Sequence, residues 1–220
     1  MSRRLLALNN KGVDNLICGH FNEAVYLFRR ALDCAKNLSG EDLSVGTSTR
    51  LGIPILPSYL GCLEALDLTS VSPNNMFDLY DCAFALSKDE SSIAVSEVPS
   101  MVVVLLFNLA LSKHLVGLRH NQTMMLSEAL MDYKVALAVF TSSHSSLIET
   151  LPPIVLGCIT NMGHIVSHFG RNQEAGECYE MLNDILDSPH AENLSDDDAA
   201  FFFSLISDRE VLFPQMAAAA

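Results

Sequence analysis

Three asparagines stand at matching places in the chain and have the chemistry to bind a peptide backbone. Asn10, Asn108 and Asn161 each lie two residues before a small residue. A side-chain amide donates and accepts hydrogen bonds at once, which suits the N–H and C=O groups of an extended peptide. The sequence therefore predicts a peptide-binding ladder, which we call the asparagine ladder, that would hold a segment without reading its side chains. The alternative is that these asparagines bond local backbone groups or face solvent.

Two histidines have a spacing that is also found in metal sites. His164 and His168 are four residues apart, so they lie on one face if this stretch is helical. A zinc-protease pattern would require a glutamate between the two histidines, and this sequence has none there. No set of four metal ligands is visible either. We therefore predict no metal, with the ring nitrogens bonded to the helix or to solvent.

Motifs for catalysis are missing from the sequence. There is no Gly-rich phosphate loop, no Gly-x-Ser-x-Gly turn and no pair of carboxylates in a recognisable frame. We therefore predict no catalytic residues and no cofactor, and we expect that the protein is not an enzyme. An enzymatic interpretation would need a pocket with a strongly perturbed titratable group, for which the surroundings of His164 and His168 are the candidate place.

An internal repeat predicts the elements that position the asparagines. Residues 8–31 and 159–182 share a small residue followed by glycine seven, alanine twelve, an aromatic residue sixteen and an apolar residue nineteen positions later. The two sets are Gly12, Gly19, Ala24, Phe28 and Ala31, and Gly163, Gly170, Ala175, Tyr179 and Leu182. This spacing predicts an antiparallel pair of helices in each copy, with the glycine seven positions on in the turn.

Residues 101–140 fit a second copy of the repeat when Ala110 is its small residue. Ala129, Tyr133 and Ala136 then lie seven residues later than the other copies require. We therefore predict a seven-residue insertion in the inter-helix turn, around Arg119–Met125.

The chain is predicted to be one all-α domain, an irregular α-α superhelix of about three helix pairs. The repeat units span about 5–38, 100–142 and 151–187, with an insertion at 39–98. A capping helix is expected at 195–207. Ser195 followed by Asp198 is a capping-box pattern, and the apolar run after it would close the end of a helical array.

Two parts of the insertion differ in composition. Residues 39–58 form a predicted linker rich in Ser, Thr and Gly. Residues 76–86 fit either a helix or a strand, and we favour a short β-hairpin in which they pair with Leu63–Leu68 across a Ser-Pro-Asn-Asn turn.

Composition restricts the class of partner. The formal net charge is −13, half of the residues are hydrophobic and 18% are charged. A negative field repels phosphate, so we expect no nucleic acid partner and favour a protein or peptide. The apolar run Met101–Leu118 is interrupted by Asn108, Lys113 and His114, which favours a buried scaffold helix over a membrane span. Six cysteines without CxxC spacing indicate reduced core residues, and hence an intracellular protein, cytoplasmic or nuclear.

The offsets of the repeat resemble those of the tetratricopeptide repeat (TPR), a helix–turn–helix unit with small residues at its eighth and twentieth positions. The chain also resembles a set of TPR-like proteins, expanded in unicellular algae, for which no activity is assigned. The shared segments are Leu8–Gly12, Leu105–His114, Asn161–Phe169 and Asp196–Phe203. The resemblance implies that the ladder points from the first helix of each pair into a concave groove.

This resemblance implies an interaction scaffold, acidic and intracellular, that binds a peptide segment or partner protein in its concave face. The alternative is a structural subunit packed permanently into a larger assembly, which a groove filled by residues 39–100 would favour. The TPR clamp for chaperone C-termini needs cationic side chains at fixed positions of the repeats. In this chain those positions hold Asn161, Asn9 and Val13, so a clamp of this kind is not expected. The sequence leaves the partner and the oligomeric state open.

Overall fold

The structure is a computed structural model that describes residues 2–38, 55–59, 75–86, 98–142 and 152–207. Within these ranges it contains seven α-helices, two short strands and a 3-10 helix at Pro189–Asn193. The elements are α1 (Ser2–Ile17), α2 (Phe21–Leu38), β1 (Ile55–Tyr59), β2 (Cys82–Leu86), α3 (Val98–Arg119), α4 (Thr123–Ser142), α5 (Pro152–His168), α6 (Asn172–Leu186) and α7 (Asp196–Ser207). The prediction of an all-α fold with a small strand pair is confirmed for this part of the chain.

All three helix pairs are joined by the same three-residue turn. Its middle residue has a positive φ: 74° at Gly19, 48° at Asn121 and 70° at Gly170. Glycine adopts this left-handed backbone without strain, and asparagine tolerates it better than most residues. The amide of the next residue bonds back to the end of the helix, as in His20 N to Asn15 O at 2.8 Å. Each first helix therefore ends in the same hydrogen-bonded cap.

The predicted seven-residue insertion is wrong, because the turn between α3 and α4 is as short as the other two. Counting back seven residues from the positive-φ residue gives Gly12, Gly163 and, in the second pair, His114 rather than Ala110. The sequence match was thus displaced by four residues on α3 and by three on α4. Such displacements keep residues on the same helix face, and so the pattern misled.

The small residue that permits close packing lies elsewhere in the second pair. A Cβ atom added to Gly117 would come within 2.6 Å of Leu126 Cδ2, so α3 supplies the space and α4 the large side chain. In the first pair Gly12 lies against Phe28 of α2. Both contacts show why one member of each packed pair of residues is small.

Each helix from α1 to α6 packs on the next helix along the chain. Apolar stripes on α1 and α2 bury residues such as Leu5, Leu16 and Phe28 completely. Ser195 caps α7 as predicted: its Oγ accepts a hydrogen bond from Asp198 N at 3.2 Å. The helices therefore form one continuous core.

The central helix α3 is long and apolar enough to cross a membrane, but 94% of its most apolar window is buried within the protein. A buried core helix meets the same criteria. The three residues predicted to interrupt its apolar run, Asn108, Lys113 and His114, each contact a different neighbour. Lys113 Nζ lies 2.6 Å from Asp132 Oδ2 and 3.0 Å from Glu128 Oε2 of α4. Asn108 bonds to β2, and His114 bonds to α5. The interruptions of the apolar run thus serve contacts between elements.

The strand prediction for residues 76–86 is right in part, and its partner strand is different. β2 pairs antiparallel with β1, with Leu86 opposite Ile55 and Cys82 opposite Tyr59. β1 lies at the end of the stretch predicted as linker, while Leu63–Leu68 falls outside the described residues. β1 includes Pro57, because an edge strand tolerates proline wherever no ladder hydrogen bond is needed.

Candidate peptide-binding site

The asparagine ladder lies against a segment of the chain itself. Residues 75–86, which we call the inner segment, run in extended form along α1, α3 and α5 and end in β2. Most of their side chains are buried: Met76, Phe77, Leu79, Tyr80, Cys82, Ala83, Phe84 and Leu86 are each at most 7% exposed. The face where we predicted a partner peptide is thus occupied by the protein's own backbone.

Each asparagine of the ladder binds both backbone groups of a single residue. Asn161 accepts from Tyr80 N at 2.8 Å and donates to Tyr80 O at 3.0 Å. Asn108 does the same with Phe84, at 2.9 and 2.8 Å. Asn10 does so with Leu86, at 2.9 and 2.7 Å. The structure therefore brings all three predicted residues together on one extended segment.

The ladder takes the place of a third strand. The N–H and C=O of one residue in a strand point to the same edge, and alternate residues point to opposite edges. Residues 80, 84 and 86 share one parity, so their groups face the asparagines, while those of residues 83 and 85 face β1. Pro57 pairs with Phe84, at a position where no hydrogen bond to β1 is needed. One edge of β2 is thus satisfied by a strand and the other by side chains.

A fourth asparagine, Asn9, belongs to the ladder and was missed by sequence reasoning. It is fully buried and donates to Phe84 O at 3.1 Å. It also accepts a hydrogen bond from Asn108 Nδ2 at 3.0 Å, which links α1 to α3. The signal was the Asn9-Asn10 doublet itself, since two adjacent amides cannot both face solvent on an amphipathic helix and a buried amide needs a partner.

Glycines on α5 receive the aromatic side chains of the inner segment. A Cβ atom at Gly157 would lie 2.5 Å from Tyr80 Cδ1, and one at Gly163 would lie 2.5 Å from Phe77 Cε2. No larger residue fits at either place without displacing a ring. Asn161 lies on the same helix between the two glycines, so α5 binds both the backbone and the side chains of this segment.

The terminal helix α7 closes over Tyr80. The Tyr80 hydroxyl donates to Asp198 Oδ1 at 2.6 Å, and the Tyr80 ring lies 4.9 Å from that of Phe202 between centroids. Ser195 Oγ donates to the other oxygen, Asp198 Oδ2, at 2.6 Å. Asp198 is 2% exposed, and a buried carboxylate requires such donors. The acidic cap of α7 therefore also fixes the inner segment.

Several titratable groups near the ladder have altered pKa values. Burial raises the pKa of the Tyr133 phenol well above 10, although its hydrogen bond with Asn161 opposes this. Burial raises the pKa of Asp81, in the inner segment, to about 6. Burial also raises the pKa of the Cys158 thiol, and that of Cys178 to about 11. The Tyr133, Cys158 and Cys178 groups are therefore neutral at neutral pH, which suits packing rather than nucleophilic chemistry.

The histidine prediction needs a correction. His164 does not bond only to its helix or solvent, because its Nδ1 lies 3.1 Å from Nε2 of the buried His114 on α3. Burial lowers the pKa of His114 well below 6.5, and the positive charges of His164 and His168 lower it further. In the described part of the chain, no group of three or more His, Cys, Asp or Glu side chains is arranged to hold a metal ion.

No protein-family model matches the chain, and no curated protein or solved structure matches it either. The function is therefore inferred from the contacts of the inner segment.

Proposed function

We propose that this protein is a non-catalytic interaction scaffold that acts as a structural subunit, with its outer helix faces bound to other proteins. The observation that carries the proposal is the binding of Tyr80, Phe84 and Leu86 by the asparagine ladder. In this interpretation the helix pairs are TPR-like units in a superhelix, and α1, α3 and α5 line the concave face. The ladder completes the fold and leaves partner binding to other surfaces.

The energetics favour a permanent place for the inner segment. Fully burying one large apolar side chain is worth about 1.5–3 kcal/mol, so four such side chains contribute about 6–12 kcal/mol. Phe77, Tyr80, Phe84 and Leu86 are each at most 2% exposed. A partner peptide would have to replace this burial as well as the ladder's hydrogen bonds. Capture of an outside peptide by the ladder is thus the less supported form of the scaffold function.

Exposed apolar side chains on the outer helices support binding at another surface. On α4, Met124, Met131 and Val135 are 70%, 58% and 44% exposed, and seven and four residues separate them along one side of the helix. Methionine adapts its shape to a partner surface, and such residues are common in interfaces. Because the net charge is −13, we propose a neutral or basic protein partner rather than nucleic acid or membrane.

We also propose that the protein acts inside the cell, in the cytoplasm or nucleus. Cys34, Cys158 and Cys178 are buried thiols. A thiol buried in an apolar core behaves as a small hydrophobic residue, which is usual where the compartment is reducing.

The proposal is tested by crosslinking and pulldown from native extract with three variants. Met131→Glu is expected to lose the partner, because it places a charge on the exposed apolar side of α4. Thr141→Glu adds the same charge at another exposed position on α4 and should keep it, as should Asn10→Ala.

A competition experiment separates the two forms of the scaffold function. An excess of a synthetic peptide with the sequence of residues 75–86 is expected to leave the complex intact. If the peptide displaces the partner, or if Asn10→Ala alone releases it, the partner binds the ladder and the subunit proposal is wrong. Migration of the protein from extract as a lone chain would also contradict the proposal.

A further inference from the structure

A buried histidine pair joins α3 to α5 beside the inner segment. His114 is 0% exposed and His164 is 3% exposed, and their ring centroids lie 5.0 Å apart. His114 Nε2 and His164 Nδ1 are 3.1 Å apart, which is a hydrogen bond between one donor and one acceptor. The other ring nitrogen of His114, Nδ1, is buried without a hydrogen-bond partner among the described residues. The pair therefore fits two neutral rings.

An added proton creates an unsatisfied donor in the core wherever it binds. If His114 takes the proton, both of its nitrogens carry hydrogen, and Nδ1–H faces no acceptor in the described chain. If His164 takes it, His164 Nδ1–H must donate to His114 Nε2, and the hydrogen of His114 moves to Nδ1. If both rings are protonated, His114 Nε2–H and His164 Nδ1–H point at each other and neither can accept a hydrogen bond. Each outcome leaves the Nδ1–H group of His114 buried without an acceptor among the described residues.

Among the described residues, the elements around His114 bring no carboxylate to offset such a charge. From α5 it meets His164 and His168, and both lower its pKa. From α4 it meets the edge of the Tyr133 ring, with centroids 6.2 Å apart. Its neighbour on α3, Lys113, pairs with Glu128 and Asp132, and Arg29 of α2 also pairs with Glu128. α1 contributes the neutral Asn9 to this side of α3.

The same stretch of α5 holds the start of the inner segment. Asn75 Nδ2 donates to His164 O at 3.2 Å, and Met76 N donates to Ser167 Oγ at 2.8 Å. Phe77 packs on Gly163, the residue before His164. A shift of α5 away from α3 would therefore disturb these three contacts together, and would also separate Asn161 from Asn108.

We propose that the His114–His164 pair is a pH-sensitive lock, so that acidification loosens α5 from α3 and releases the inner segment from the ladder. This device does not depend on which partner the protein binds. The pKa of His114 is lower in the folded chain than when unfolded, so below about pH 6.5 the unfolded chain binds more protons. The lock's stability is thus fully present above about pH 6.5 and is lost as the pH falls.

Hydrogen–deuterium exchange of the full chain tests the lock. Exchange of residues 75–86 is measured at about pH 7.5 and about pH 5.5, corrected for the intrinsic exchange rate, with α2 as internal reference. The wild type is expected to lose protection in the inner segment by up to about tenfold on acidification, because the lower pH lies about one unit below the ordinary histidine pKa of 6.5 and one unit corresponds to a factor of ten. α2 should change much less.

Matched variants assign the effect to the pair. His114→Gln keeps a polar side chain that does not titrate and should abolish the loss of protection on acidification, leaving only the smaller effect of Asp81, which has the opposite sign. His190→Gln, at the partly buried His190 of the 3-10 helix, should leave the wild-type pH dependence unchanged. The lock is overturned if wild-type protection is the same at both pH values, or if His114→Gln retains the loss. If His114→Gln does not fold at neutral pH, NMR titration of the wild-type imidazoles decides: His114 titrating at its ordinary pKa contradicts the lock.

Discussion

The first and third helix pairs share one residue spacing, but they use it for different contacts. Gly12 and Gly163 occupy the same place relative to the turn. An added Cβ at Gly12 would lie 2.5 Å from Phe28 Cε1 of its own partner helix, whereas one at Gly163 would lie 2.5 Å from Phe77 Cε2 of the inner segment. The first glycine therefore serves packing within the pair, and the second serves packing between the pair and the inner segment.

The two asparagines that lie two residues before these glycines, Asn10 and Asn161, differ in the same way. Asn10 is only partly buried and binds Leu86 at the end of β2. Asn161 is fully buried, binds Tyr80 in the middle of the inner segment and also donates to the Tyr133 hydroxyl at 3.0 Å. A repeat position thus determines the type of residue, while the path of the inner segment determines which contacts that residue makes.

The largest expected difference between the two pairs is the effect of removing their asparagines. Asn161→Ala should lower the free energy of unfolding by about 3–4 kcal/mol, since it removes both hydrogen bonds that Asn161 makes to the buried Tyr80 backbone. Asn10→Ala should cost about 1–2 kcal/mol, because water can reach this site and replace the amide. Urea unfolding at neutral pH measures both. Asn37→Ala, at an exposed position of α2, serves as control and should change stability by less than about 0.5 kcal/mol. Equal losses of unfolding free energy in Asn10→Ala and Asn161→Ala would show that the two asparagines do not differ in this way.

A smaller difference is expected from filling the two glycines. Gly163→Ala and Gly12→Ala should each cost about 1–2 kcal/mol net, because overpacking exceeds the gain in helix propensity. Phe77→Leu should rescue Gly163→Ala but not Gly12→Ala, and Phe28→Leu should do the reverse. A double-mutant cycle followed by thermal unfolding gives the coupling energies. Rescue of both glycine variants by one phenylalanine change would show that the two sites are not separate.

The smallest expected effect concerns charge in the inner segment. Because burial raises the pKa of Asp81 to about 6, the folded chain binds a proton more tightly than the unfolded chain. This group's contribution to stability therefore falls as the pH rises from about 4 to about 6, the opposite sign to His114. Asp81→Asn should raise stability at neutral pH by roughly 0.5–1 kcal/mol, because solvent screens this partly buried group. Unfolding free energies at several pH values would show no such gain if Asp81 were fully hydrated.

Local patterns in the sequence were enough to predict the helices and the ladder. The glycine turns, the apolar stripes and the Ser195 cap are decided by residues close in the chain, so periodicity reveals them. Asn10, Asn108 and Asn161 were identified because each lies two residues before a small residue, although the structure displaces Asn108 by one helical turn from the position of the other two.

Long-range pairing could not be predicted in the same way. Which strand pairs with β2 depends on how residues far apart come together, and the alternation of residues 76–86 is compatible with several partners. The buried pair of His114 and His164 joins residues fifty positions apart. The register of the second repeat was misjudged because displacement by one helical turn keeps the same face, so Ala110 and His114 are equivalent to a pattern search.

The order in which the chain is synthesised has a consequence for the inner segment. It emerges before α3, α5 and α7, and its hydrogen bonds to Asn161 and Asp198 span 81 and 118 residues. Helix pairs close locally and fast, whereas contacts across such separations form late. A nascent chain therefore presents Phe77, Tyr80 and Phe84 to the surroundings until most of the protein has been made. This interval exposes a hydrophobic stretch with an unpaired strand edge, which is a typical binding target of chaperones during translation.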